Sequence, residues 1–83
     1  MTAVVVSDKR QLVPNAGIKE IVYLSSSACA TGHTMDLTGD FTTIYGTYIN
    51  DSTGVVKAAT FSSLTVTIGT VSTGVHCIRV WGI

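Results

Sequence analysis

Charge is scarce in this chain. Only five Lys or Arg and five Asp or Glu occur among 83 residues, 12% charged in all, about half the share of an ordinary soluble domain. The formal net charge is zero, and the charges stand singly or in pairs. There is therefore no basic stripe to neutralise phosphates and no acidic tail, so nucleic acid is not an expected partner. Long hydrophobic runs are missing as well. No stretch approaches the roughly 20 apolar residues that span a bilayer, and Lys9-Arg10 follows the apolar Ala3-Val4-Val5-Val6 run rather than preceding it. Neither a signal peptide nor a membrane anchor is expected.

Cysteine is nearly absent too. Cys29 and Cys77 fall far below the density of a secreted disulfide scaffold. They read as two free, partly buried thiols acting as small hydrophobes. The alternative is one bridge between positions 29 and 77, which would contribute about 4 kcal/mol in the chain-entropy model. Helical periodicity is also lacking, since nowhere do apolar residues recur at three and four over a dozen positions.

What fills the chain is β-forming. Hydrophobic residues reach 46%, and the shortage of Lys and Glu is made up by Thr, Ser and Gly, which suit strands and protein contacts. A domain this short buries only about 60–65% of its unfolded surface, so it needs help from a bridge, a metal or a partner. The composition points to a homo-oligomer or a lattice-bound subunit.

The expected fold is a single all-β domain over residues 1–83, a small antiparallel β-sandwich or barrel, jelly-roll-like. Strands are predicted near 3–7, 10–13, 18–25, 34–37, 42–50, 55–61, 63–68 and 75–81. Pro14-Asn15-Ala16-Gly17 and Asn50-Asp51-Ser52-Thr53-Gly54 each have the residues of a hairpin turn. A tighter corner at 60–63 is expected to let 55–59 pair with 64–68. The small, polar run from Ser25 to Gly32 reads as a loop crossing between sheets. Leu64, Val66 and Ile68 alternate with Thr65 and Thr67, giving one core face and one solvent face. In the final strand Val75, Cys77, Arg79, Trp81 and Ile83 share one parity, and His76, Ile78 and Val80 the other. Both sides are apolar, so both are expected to be covered, the second by another copy of the subunit.

Chemistry is thinly encoded. His33, Asp36 and Asp40 lie near Ser25, Ser26 and Ser27, but no Gly-x-Ser-x-Gly elbow accompanies them, so the run reads as a polar loop. His33, Asp36, His76 and Cys77 are ligand types without zinc-site spacing, and the neighbours His76 and Cys77 point to opposite faces of a strand. No catalytic, metal-binding or cofactor-binding residue is expected, and the protein is not expected to be an enzyme. Trp81, Tyr23, Tyr45 and Tyr48 read as core or interface anchors before they read as a sugar-stacking platform. Asn50-Asp51-Ser52 matches a glycosylation triplet but is read only as a turn. Lys9, Arg10, Lys19, Glu20 and Lys57 read as solvated edge charges. Arg79, set among apolar neighbours, needs an acceptor, and a neighbouring subunit is expected to supply it. The candidate interface residues are Val4, Val6, Val75, Arg79, Trp81 and Ile83.

Three stretches carry a family likeness: Ile49-Asn50-Asp51-Ser52-Thr53-Gly54-Val55-Val56, Leu64-Thr65-Val66-Thr67-Ile68-Gly69, and Ile78-Arg79-Val80-Trp81-Gly82-Ile83. With the opening Ala3-Val4-Val5-Val6-Ser7-Asp8-Lys9-Arg10, the chain resembles small structural proteins encoded among the head genes of tailed bacteriophages. The resemblance implies a compact β-domain, commonly a trimer, that sits on the capsid surface where capsomers meet. It would bind the major capsid protein and cement the shell after synthesis in the host cytoplasm. No functional residue is carried over. From another class, a carbohydrate- or receptor-binding β-module of a fibre or tail would turn the same aromatic rings to solvent.

Overall fold

The computed structural model describes residues 2–15, 17–50, 54–57 and 59–83, and they form eight strands and no helix. The strands are β1 (Val6–Asn15), β2 (Ile18–Ser25), β3 (Thr34–Asp36), β4 (Ile44–Asn50), β5 (Val56–Lys57), β6 (Ala59–Ser62), β7 (Thr65–Ile68) and β8 (Cys77–Gly82). A five-stranded sheet runs β1-β2-β8-β4-β5 and a three-stranded sheet runs β3-β7-β6. Every pairing between strands is antiparallel. The expected all-β domain is thus a small sandwich of two unequal sheets.

Local chemistry explains most boundaries. The β1–β2 hairpin closes with Asn15 opposite Ile18 and with Gly17 at a φ of +79°, a left-handed position that suits glycine. The β4–β5 hairpin brings Asn50 opposite Val56; positions 51–53 of its expected turn lie outside the described residues.

Three boundaries differ from expectation, each for a tertiary reason. Segments 3–7 and 10–13 do not form two strands. One strand, Val6–Asn15, runs through Asp8-Lys9-Arg10, because β2 pairs along its length and its place at the sheet edge lets those charges reach water. Ala3 instead makes an isolated parallel bridge to Thr34, with Val4 N–H donating to the Thr34 carbonyl at 2.8 Å. The stretch 55–61 is likewise two strands: β5 belongs to the large sheet and β6 to the small one. The partner of β7 is therefore Ala59–Ser62, and the corner is Ser63-Leu64, with Ser63 at a φ of +54°.

The core lies between the sheets. Ile21 and Tyr23 of β2, Ile44 and Ile49 of β4, and Ile78 and Val80 of β8 face Met35 of β3 and Val66 and Ile68 of β7. The crossing loop contributes Cys29, held by Gly74 N–H donating to its carbonyl at 3.0 Å, and the segment after β3 contributes Leu37 and Phe41. Each of these aliphatic side chains gains about 1.5–3 kcal/mol from leaving water. The alternation in Leu64–Ile68 is as expected, Val66 and Ile68 being fully buried. Both cysteines are free: Cys29 is in the core, and Cys77 is half-buried on β8, opposite Leu24 and Asn50.

Candidate interaction face

Strand parity sorts the central strand β8. His76, Ile78 and Val80 point into the core. Cys77, Arg79 and Trp81 point the other way, onto the outer face of the five-stranded sheet, and are half-buried. Pairing registers fill in the rest of that face. Glu20, Val22 and Leu24 stand beside them on β2, and Gly46, Tyr48 and Asn50 on β4. Leu12 of β1, opposite Glu20, and Val56 of β5, opposite Asn50, extend it to both edges. Leu12 is 46% exposed, Leu24 42% and Val56 63%.

The centre of the face is aromatic and cationic. Trp81 and Tyr48 meet edge to face, with centroids 5.8 Å apart and planes at 61°. The Arg79 guanidinium lies 5.9 Å from the Tyr48 ring and 3.5 Å from the Glu20 carboxylate. Arg79 therefore finds an acceptor within its own chain, on the adjacent strand. Its Nε remains buried without a hydrogen-bond partner.

The six residues singled out from sequence do not form one surface. Arg79 and Trp81 share the outer face. Val6 pairs with Ser25, whose N–H donates to the His76 carbonyl, so Val6 and Val75 lie at the end of the sheet where β8 begins. Ile83 lies at the opposite end, its carbonyl accepting from Thr42 and Thr43. Val4 packs against the core. Val22, Leu24 and Val56 were missed as members of the face that Trp81 and Tyr48 share. Parity within each strand was legible, but which strands lie side by side was not.

The polar residues considered for catalysis go to structural work. His33 Nδ1 accepts from Ala30 N–H at 3.3 Å. Asp36 accepts from the Thr38 hydroxyl at 2.6 Å and from its N–H at 3.1 Å, and both bonds hold its carboxyl below the usual range. Ser25 is buried, accepts from His76 N–H at 2.8 Å and donates to the Ser26 carbonyl. His76 is buried with Nδ1 2.7 Å from the Gly74 carbonyl, and its Nε2 has no partner. Among the described residues no three His, Cys, Asp or Glu side chains converge as a metal site.

On the open side of the sandwich, Asp40 clasps the segment after β3 to β1 and β2 of the five-stranded sheet. Its carboxylate accepts from the Tyr23 hydroxyl at 2.8 Å and from Lys9 Nζ at 3.0 Å. Burial pushes the Asp40 carboxyl up, but those two hydrogen bonds and the charges of Lys9 and Lys19 outweigh it and hold it low. Burial first, then the adjacent carboxylate, pushes the Tyr23 phenol far above its ordinary range. Beside this clasp runs a groove of about 530 Å³, with Val4, Val6, Met35 and Leu37 among its apolar walls and Asp8, Asp36 and Asp40 among its polar ones.

No family model, curated protein or solved structure matches this chain. The function is therefore argued from the face itself.

Proposed function

We propose that this chain is a structural, non-enzymatic virion subunit, a capsid decoration or cement protein. It self-associates, as a trimer by preference, and stabilises a bacteriophage head by binding the major capsid protein at the capsid surface. The observation that carries the reading is the outer face of the five-stranded sheet, where Trp81, Tyr48, Leu24, Leu12 and Val56 stand half-buried or exposed. A sheet face meant only for water would alternate to Thr, Lys and Glu. An aromatic centre flanked by aliphatics, with an Arg among them, has the composition of an interface. A cement protein meets many equivalent sites, so linking several weak contacts in one oligomer raises avidity without any single strong contact.

The second reading, a carbohydrate- or receptor-binding module, is favoured by the half-exposed Tyr48–Trp81 pair. The 61° between these rings means that they do not offer one flat platform, so this reading ranks below the first.

The test is native mass by light scattering across a dilution series, followed by co-sedimentation with empty heads of the phage whose genome encodes the chain. A persistent small oligomer that saturates heads at a fixed ratio supports the cement reading. A monomer that ignores heads, and whose Trp81 emission responds to added sugars, overturns it in favour of the second.

A further inference from the structure

We infer that copies of this chain join edge to edge, the β5 edge of one seating on the β1 edge and the groove of the next, and that Lys57 forms an ion pair across the junction with Asp36. The inference rests on the self-association proposed above and names the contact that produces it.

Both edges of the five-stranded sheet, β1 and β5, have no neighbouring strand on their outer side among the described residues. On β5, Val56 is 63% exposed, and Lys57 makes no ion pair or ring contact among the described residues. The other cations are engaged: Lys9 with Asp40, Arg10 with Asp8, Arg79 with Glu20, and Lys19 over the Phe41 ring at 5.2 Å. On the opposite side the groove offers Asp36, which accepts from Thr38 but is in no ion pair among the described residues. Among the described residues the fold thus leaves one unpaired cation and one unpaired carboxylate beside opposite edges of a single sheet.

Parity makes the two meet. Lys57 pairs with Ile49, a fully buried residue, so it lies on the core side of the sheet. At the other edge Lys9 pairs with buried Tyr23 and has the same parity. A β5 strand laid beside the neighbour's β1, inner side to inner side, would carry Lys57 into the seam between β1 and β3. Asp36 and Asp40 line that seam, and Val6 and Leu37 cover the stem of the lysine. The charged run Asp8-Lys9-Arg10 and the register shift between Val6 and Asp8 resist indiscriminate strand addition at this edge. A segment bearing one compensating lysine is selected instead. A contact between different edges is heterologous, and it gives a closed ring when the rotation per subunit divides the circle.

Zero-length carbodiimide coupling of an equal mixture of ¹⁴N- and ¹⁵N-labelled protein tests this directly. The expected product is a mixed-isotope peptide joining Lys57 to Asp36, in a ladder that stops at the ring size. Lys57→Glu alone and Asp36→Lys alone should each weaken assembly by about tenfold or more, because like charges then face each other. The double exchange should restore it. Both sites are at least partly exposed, so circular dichroism should show each variant folded. An oligomer of unchanged mass whose mixed-isotope links avoid Lys57, or whose assembly ignores both reversals, overturns the edge contact and leaves the cement reading standing. A monomer at every concentration overturns both.

Discussion

The indole of Trp81 lies across the backbone of Gly46, its cross-strand partner on β4, so closely that a Cβ at Gly46 would collide with the atoms of its six-membered ring. The missing side chain is what lets the ring lie on the sheet beside Tyr48. Gly46→Ala should displace the indole, red-shift its emission and cost about 1–3 kcal/mol, as overpacking does. At Gly82 the added Cβ would meet the Thr43 carbonyl and Ile44 Cα. Backbone cannot swing aside as a ring can, so Gly82→Ala should cost more than Gly46→Ala in urea denaturation.

The two faces of β8 should respond differently to truncation. Ile78 is fully buried, and Ile78→Ala should lower monomer stability by about 2–5 kcal/mol. Trp81→Ala, which removes a half-buried side chain of the outer face, should act chiefly on binding to heads, lowering the amount that co-sediments at a given concentration. A Trp81→Ala chain that bound heads normally would show that this end of β8 is not part of the contact.

The Asp40 clasp sets two pH limits. Asp40 is held below its ordinary value in the folded state, so its contribution is complete above about pH 4, the unfolded carboxyl value. It is lost as pH falls through the depressed folded value. Tyr23 is raised, so its contribution is complete below about pH 10 and is lost at more alkaline pH, where the unfolded phenol ionises and the folded one resists. Thermal melts of Asp40→Asn should lose part of the acid dependence, and those of Tyr23→Phe part of the alkaline dependence.

The two thiols should react with a disulfide reagent at different rates. Burial pushes the Cys29 thiol up, with a hydrogen bond involving Ser25 opposing it only in part, so the native protein should keep Cys29 unreactive toward a disulfide reagent. Cys77, half-buried on the outer face, should react first, and more slowly once the protein is bound to heads. Equal fast reaction of both would mean that the loop around Cys29 opens.

Much of the architecture was legible in the residues. Leu64, Val66 and Ile68 declared a core face because period-two alternation follows directly from strand geometry. Gly17 marked the first hairpin because few other residues hold a positive φ without strain. The edge strand was harder to read. Asp8-Lys9 looked like a break between strands, and only the place of β1 at the margin of the sheet explains why one strand runs through Asp8, Lys9 and Arg10.

The candidate face was half legible for the same reason. Trp81 and Arg79 stood out by type and parity, and they do share a surface, whereas Val4, Val6, Val75 and Ile83 look alike in sequence but lie elsewhere. Arg79 needed an acceptor, and Glu20 supplies it from 59 positions away in the chain. By itself the sequence determined that the chain is β-structured, where it turns, and which residues of each strand point the same way, because these depend on neighbours a few residues apart. The tertiary structure decided which strands lie side by side, and so which Tyr meets which Trp, which glycine makes room for an indole, and which charges are left without partners. Those outcomes depend on pairing between distant segments, which no local pattern encodes.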